Sequence, residues 1–343
     1  MTRSLPDPLL AVAPRPASPA PFALSRSRRV LRCVALAACV PYLALKAAWI
    51  GGSHLGIPEG SPLLDHRALM IFANGLTVLM DAAVIVLVLL LTRPWGLRTP
   101  AWLLAFPMWA ATGLLVPIMA GFPLQLLVRA FGGSVHGSSG SGGGEPFLAE
   151  WVFGVVYTGF ILQGIALGSL FVLYARDRWG HLWRGRVGDL PRPGAGSRGV
   201  RATAVAAALP ALALLVCHLL WATGSTAGLS AAQAEARTTD FYVLECLDMV
   251  YLAAAVTGAL VPAFRWLPAL PVKVPFALAW VGSGAVGCWG GWLLFASLVG
   301  PSDDVSRQPT GLMLLAYSVQ MITGILVAAV GVRFLKERAG SPA

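Results

Sequence analysis

Eight stretches of 20 or more almost wholly apolar residues follow one another along this chain, at 30–50, 68–91, 101–127, 151–174, 202–223, 241–261, 274–299 and 312–334. A helix needs about 20 residues to cross the hydrocarbon of a bilayer. Lipid offers no hydrogen bonds to a bare backbone, so such segments must be helical or closed into a barrel. The predicted fold class is therefore all-α, a polytopic membrane helical bundle of about eight transmembrane helices. Composition agrees: 57% of residues are hydrophobic and 12% charged, with a mean hydropathy of +0.73, whereas a water-facing surface needs far more charge. The expected partner is the lipid bilayer. The third stretch carries Pro107, Pro117 and Pro123, which predicts a kink or a short interfacial segment there.

The loops set the expected orientation. Of the 25 Lys and Arg residues, 20 fall on the side holding both tails; Arg67, Arg129, Arg237 and Arg307 fall on the other, and Lys46 lies inside a span. By the positive-inside rule both termini are expected to be cytoplasmic, in a multi-pass protein of the plasma membrane. Residues 1–28, rich in Pro, Ala and Ser, read as a disordered tail. Arg26, Arg28 and Arg29 before an apolar run also describe a signal peptide, but that run is of spanning length and its outer end recurs later, so cleavage is not expected. Residues 132–144, almost all Gly and Ser, read as a flexible outer tether.

Several function classes are disfavoured by the same pattern. The net charge of +10 does not signal nucleic acid, because the arginines lie between apolar runs and not on one basic face. Cys33, Cys39, Cys217, Cys246 and Cys288 have no metal-ligand or disulfide spacing and read as small core hydrophobes. His54, His66 and His136 fall outside the spans, again without a metal spacing, so neither metal nor cofactor is expected. Gly282, Gly284 and Gly287 fit G-x-G-x-x-G, yet no strand precedes them; with Gly290 and Gly291, and like Gly164 and Gly168, they read as small-residue packing faces. No P-loop or hydrolase motif is present.

Short patterns recur in the same order in the two halves. Trp49, Gly52, Ser53 and Gly56 form W-x-x-G-S-x-x-G at the end of the first span, and Trp221, Gly224, Ser225 and Gly228 repeat it at the end of the fifth. Trp109, Thr112 and Gly113 match Trp280, Ser283 and Gly284; Tyr157, Gln163 and Gly164 match Tyr317, Thr323 and Gly324; residues 176–178 (RDR) match 336–338 (KER). These point to a duplication. An even number of spans per copy makes the repeats parallel: 29–180 and 202–338, joined by a basic cytoplasmic linker at 181–201 and closed by a short tail at 339–343. The plainer reading is that Trp and Gly recur because interfaces and close helix packing favour them.

That alignment brings polar residues into correspondence. Lys46 falls opposite His218, and Asn74 and Thr77 opposite Glu245 and Asp248, about 5–12 Å below the outer surface at 1.5 Å per residue. Asn74, Thr77 and Asp81 share one helical face, as do Glu245, Asp248 and Tyr251. An Asp or Lys near a helix centre costs roughly 2.5–3.5 kcal/mol on insertion scales, so partners are expected: Lys46 with Asp81 or an acid of span six, His218 with Glu245 or Asp248. Tyr157, Tyr317, Gln163 and Gln320 are expected to be interhelical hydrogen bonders. The candidate ligand or ion site is thus Lys46, Asn74, Thr77, Asp81, His218, Glu245 and Asp248. Against it stand a snorkelling Lys46, a satisfied core His218, and acids that merely face a wet vestibule.

Residues 45–56 (LKAAWIGGSHLG), 93–109 (RPWGLRTPAWLLAFPMW), and the YTGFILQG and YARDRW ends of 157–179 resemble a group of uncharacterised multi-pass membrane proteins of bacteria with Ala- and Arg-rich proteomes. The resemblance covers mainly the first half and implies a topology, with no activity attached. Three readings therefore follow. The first is a permease-like or small-ligand-binding protein with an outward-facing polar cavity between its halves, suited to a small zwitterionic or anionic solute or to proton-coupled exchange. The second is an intramembrane enzyme on a lipid-linked substrate, with Asp81 or Glu245 as acid or base. The third is a subunit or sensor whose charges only fix helix register.

Overall fold

In the computed structural model, the described residues are 24–59, 61, 64, 67–133, 148–190, 195–235, 237–299 and 308–340. Most of the expected tail, and the expected tether from residue 134 onward, lie outside them. Eight long helices make up the bundle: α1 (Arg26–Ile50), α2 (Arg67–Thr92), α3 (Ala101–Ala130), α4 (Glu150–Trp179), α5 (Ala195–Ala222), α6 (Thr239–Phe264), α7 (Lys273–Val299) and α8 (Gly311–Gly340). Each is long and apolar enough to cross a bilayer. The protein is an all-helical, multi-pass membrane protein, with no strands among the described residues.

Two features differ from expectation. α3 continues through Pro107, Pro117 and Pro123 for 30 residues, so no separate interfacial segment forms. Each proline removes one backbone hydrogen bond, and neighbouring helices can re-satisfy the freed carbonyls in a bundle. α5 starts at Ala195, inside the stretch expected to be linker. Its first part is tied to the segment after α6: Val187 N donates to Leu270 O at 2.9 Å, Gly188 N to Pro268 O at 2.9 Å and Val272 N to Gly185 O at 3.1 Å.

Among the first four helices, α1 packs on α2 and α4, and α4 on α3, while α2 touches α3 and α4 only lightly. Among the last four, α5 packs on α6 and α8, and α7 on α6 and α8. α3 joins the two sets by packing on α7 and α6. The glycines of α7 explain how it touches three neighbours at backbone distance. A Cβ on Gly282 would lie 2.4 Å from Ala255 N of α6; one on Gly284, 3.2 Å from Gly113 Cα of α3; one on Gly287, 3.2 Å from Gly324 Cα of α8. The G-x-G-x-x-G run is a packing device, as its setting inside a span implied. Gly164 likewise meets Met119 of α3, but Gly168 meets nothing within 4 Å.

Arginines gather at the end that carries the termini and tie carbonyls there. Arg178 donates to Thr99 O at 2.8 Å, Arg201 to Ala263 O at 3.1 Å and Arg338 to Arg184 O at 3.1 Å; Arg28 pairs with Asp177. At the opposite end the two W-x-x-G-S-x-x-G segments form the same turn. Trp49 Nε1 donates to Leu55 O at 2.8 Å and Trp221 Nε1 to Ala227 O at 3.0 Å. Ser53 N reaches Ala48 O and Ser225 N reaches Leu220 O, both at 2.9 Å. Gly52 and Gly224, and Gly56 and Gly228, all take positive φ, which L side chains rarely adopt.

Candidate functional site

α1, α2 and α4 build the first polar cluster on two levels. Nearer the end opposite the termini, Lys46 Nζ donates to Asn74 Oδ1 at 2.6 Å. The same ammonium lies over the rings of Tyr42 and Trp49, 4.9 and 5.1 Å from their centroids. Tyr42 and Trp49 sit four residues before and three after Lys46, the helical spacing that stacks side chains on one face. Tyr42 in turn brings its hydroxyl against Thr77, whose own hydroxyl donates back to Ala73 O and Asn74 O, each at 3.0 Å.

Two turns deeper lies Asp81, 4% exposed. Gln163 of α4 donates its amide to Asp81 Oδ1 at 3.2 Å and approaches Cys39 Sγ of α1 at 3.3 Å. The other carboxylate oxygen, Asp81 Oδ2, is buried and has no hydrogen-bond partner. Lys46 is therefore not bonded to Asp81 or to an acid of α6, as its charge led one to expect. The reason is height: seven residues separate Asn74 from Asp81, about 10 Å along the axis, and Lys46 stands level with Asn74. The acids of α6 belong to the other helix set. Lys46 is half-buried and lies over two aromatic faces, an arrangement worth about 0.5–2 kcal/mol per ring.

α5, α6 and α8 build the second cluster. His218 Nδ1 and Glu245 Oε2 are 2.6 Å apart, as expected, and His218 Nε2 is 3.0 Å from Gln320 Nε2. The imidazole edge meets Trp221, with ring centroids 5.4 Å apart. His218 is 4% exposed, Gln320 6% and Glu245 9%. Asp248, one turn along α6, is half-buried and close enough for its charge to act on His218. One turn further on, the Tyr251 hydroxyl is buried without a partner, as is Thr323 Oγ1 on α8.

No family model matches this chain, and comparison with curated proteins and with solved structures likewise finds no match.

The structure brings the seven predicted residues together as two sets, and each set stays within its own four helices. Lys46, Asn74, Thr77 and Asp81 form the first, His218, Glu245 and Asp248 the second. The aligned partners do bond alike: Lys46 to Asn74, and His218 to Glu245. Where α3 meets α7, Trp109 Nε1 donates to Ser283 Oγ at 2.9 Å and Trp280 Nε1 to Thr112 Oγ1 at 3.3 Å, a reciprocal exchange of the two aligned motifs. Gln163 and Gln320 are interhelical hydrogen bonders as expected, whereas Tyr157 packs on Phe122 at 4.9 Å. Tyr42, Trp49 and Cys39 were missed; their helical spacing from Lys46 was the available signal. His54 is exposed, and His66 and His136 lie outside the described residues. Among the described residues no three His, Cys, Asp or Glu side chains converge to hold a metal.

Proposed function

We propose that this is a permease-like membrane protein of two parallel four-helix repeats, with cytoplasmic termini, that binds a small zwitterionic or anionic solute from the outside. The carrying observation is that Asp81 and Lys46, opposite charges within one helix set, are kept apart with bonding capacity to spare. Asp81 leaves one carboxylate oxygen without a partner, and Lys46 makes its hydrogen bond to a neutral amide. A charge retained only for structure gains by pairing, because an unpaired charge in a low-dielectric interior is costly. A zwitterion complements this pair, its carboxylate toward Lys46 and its ammonium toward Asp81.

The duplication is supported by the repeated Trp-capped turns and by the reciprocal Trp109–Ser283 and Trp280–Thr112 bonds, which are what a twofold axis between α3 and α7 produces. Two parallel bodies meeting largely through α3 can rock about that seam. The enzyme reading is disfavoured at His218, since both ring nitrogens hold side-chain partners and Trp221 packs beside the ring where a substrate would have to sit. A groove of about 560 Å³ between α1 and α4 is lined by apolar and small residues such as Val34, Pro41, Gly159 and Leu162, with no carboxylate in its wall.

Two tests apply. In heat-denaturation assays on the purified protein, at least one zwitterionic or anionic solute from a panel should raise the melting temperature, and Lys46→Met should remove the shift. At 100 times Kd a ligand adds about 2.7 kcal/mol of stability, enough to read as several degrees. A panel without a stabilising compound, or a shift that survives Lys46→Met, overturns the binding site. For orientation, a fluorescent protein fused after residue 343 should glow and a phosphatase at the same place should stay inactive; the reverse pattern overturns the topology.

A further inference from the structure

The second cluster differs from the first in having every ring position of its titratable group engaged. His218 Nδ1 faces the Glu245 carboxylate at 2.6 Å, and Nε2 faces the Gln320 side-chain nitrogen at 3.0 Å. With the Gln320 amide nitrogen turned toward it, Nε2 accepts, an arrangement that fits the neutral ring with Nδ1–H donating to Glu245. A proton added at Nε2 would turn that nitrogen into a donor. Gln320 then needs only to turn its amide over, presenting Oε1 in place of Nε2, for the bond to re-form. Both charge states of the ring therefore keep two hydrogen bonds inside a site that is almost closed. Neither Lys46, which has no second acceptor of this kind, nor Asp81, with one bare oxygen, has that property.

The surroundings favour a proton over other small cations. Three side chains that could ligate a metal do not converge here among the described residues, and the space beside the ring is filled by Trp221. The groups facing the ring are few. α6 contributes Glu245 and, one turn deeper, Asp248, and α8 contributes Gln320; Tyr317 of α8 lies within range of both carboxylates. Tyr251 follows Asp248 on the same α6 face. Two carboxylates against one imidazole leave the cluster with room for a positive charge when the ring is protonated.

We propose that His218, Glu245 and Gln320 form a proton-binding site, and that this proton is the coupling ion of the permease-like cycle. The step is simple: a proton from water forms an N–H bond at His218 Nε2, the Nδ1 hydrogen bond to Glu245 stays, and nothing is oxidised or reduced. Gln320 is a positioning residue, acting through His218. The coupling half of this inference rests on the solute-binding reading above; the proton-binding half does not.

The experiment is nitrogen NMR of the full chain in lipid nanodiscs with ¹⁵N-labelled histidine. The chain has five histidines, and the His218 signals are assigned by their loss in His218→Gln. As the pH falls from about 9 to about 5, Nε2 should pass from unprotonated to protonated in one step while Nδ1 stays protonated. Gln320→Met removes a donor from the neutral ring and an acceptor from the charged one; because hydrogen bonds to charged groups are the stronger, the midpoint pH should fall by about one unit, so that about tenfold more protons are needed to charge the ring. A His218 that keeps one state throughout, or a midpoint indifferent to Gln320→Met, overturns the proton site; the wild-type titration decides the first point, with His218→Gln serving only to assign its signals. The solute panel is then repeated at pH 6 and pH 8. Coupling requires a stabilisation that depends on pH in the wild type and not in His218→Gln; a pH-independent shift overturns it. A titrating His218 with no stabilising solute sinks the permease reading and with it the coupling, while solute binding beside a silent His218 sinks the proton site and the coupling and leaves the solute-binding reading standing.

Discussion

Gly113→Ala should lower the stability of the folded protein by about 1–3 kcal/mol, the usual cost of overpacking a close contact, and Gly168→Ala should change it little. A Cβ on Gly113 would lie 2.2 Å from Gly284 O and 2.8 Å from Cys288 Sγ. The carbonyl cannot step aside, because α7 is clamped on two further faces through Gly282 against Ala255 and Gly287 against Gly324. Relief must come from α3 moving away from α7, which stretches the Trp109–Ser283 and Trp280–Thr112 bonds together. Gly168 lies in the same kind of helix interior with nothing within 4 Å, so it controls for the methyl group itself. Thermal denaturation of the two variants in one detergent makes the comparison. Equal midpoints would mean that α3 and α7 are not the seam on which the two helix sets are joined.

The eight spans could be read from the sequence because their cause is local: length and apolarity decide whether a segment can lie in lipid. The glycine run of α7 was readable for a similar reason, since a dinucleotide loop needs a strand before it and a span has none. The turns after Trp49 and Trp221 came out alike because the same residues at the same spacing place the same donors and acceptors. His218 with Glu245 was legible through the alignment of the two halves. The partner of Lys46 was not. Which neighbour an ammonium meets depends on how α2 is rotated and how high it stands beside α1, and neither quantity is written in residue types. The split of the polar residues into two sets was hidden for the same reason. Helical faces can be read from spacing, but not which face of which helix they meet. Proline positions in α3 suggested a kink or a short interfacial segment, yet whether proline interrupts a helix depends on what surrounds it.

Asp81→Leu should leave stability unchanged or raise it, while Gln163→Leu should lower it by about 1–3 kcal/mol, the cost of a buried polar group left without its partner. The asymmetry follows from what each change leaves behind. Gln163→Leu strands Asp81 Oδ1 beside an already unpartnered Oδ2, whereas Asp81→Leu removes the costly group and leaves an amide that can still approach Cys39 Sγ. The aligned position on α6 is already a leucine, Leu252, fully buried, so the setting accepts that side chain. A residue whose replacement stabilises the fold is kept for something other than the fold, and the same Asp81→Leu protein should lose the solute-induced rise in melting temperature. Both proteins would be followed by heat denaturation with and without the best solute of the panel. If Asp81→Leu instead costs as much as Gln163→Leu, the Asp81–Gln163 bond is a tie between α2 and α4. The spare oxygen would then argue for no ligand, and the zwitterion site would lose its acidic pole.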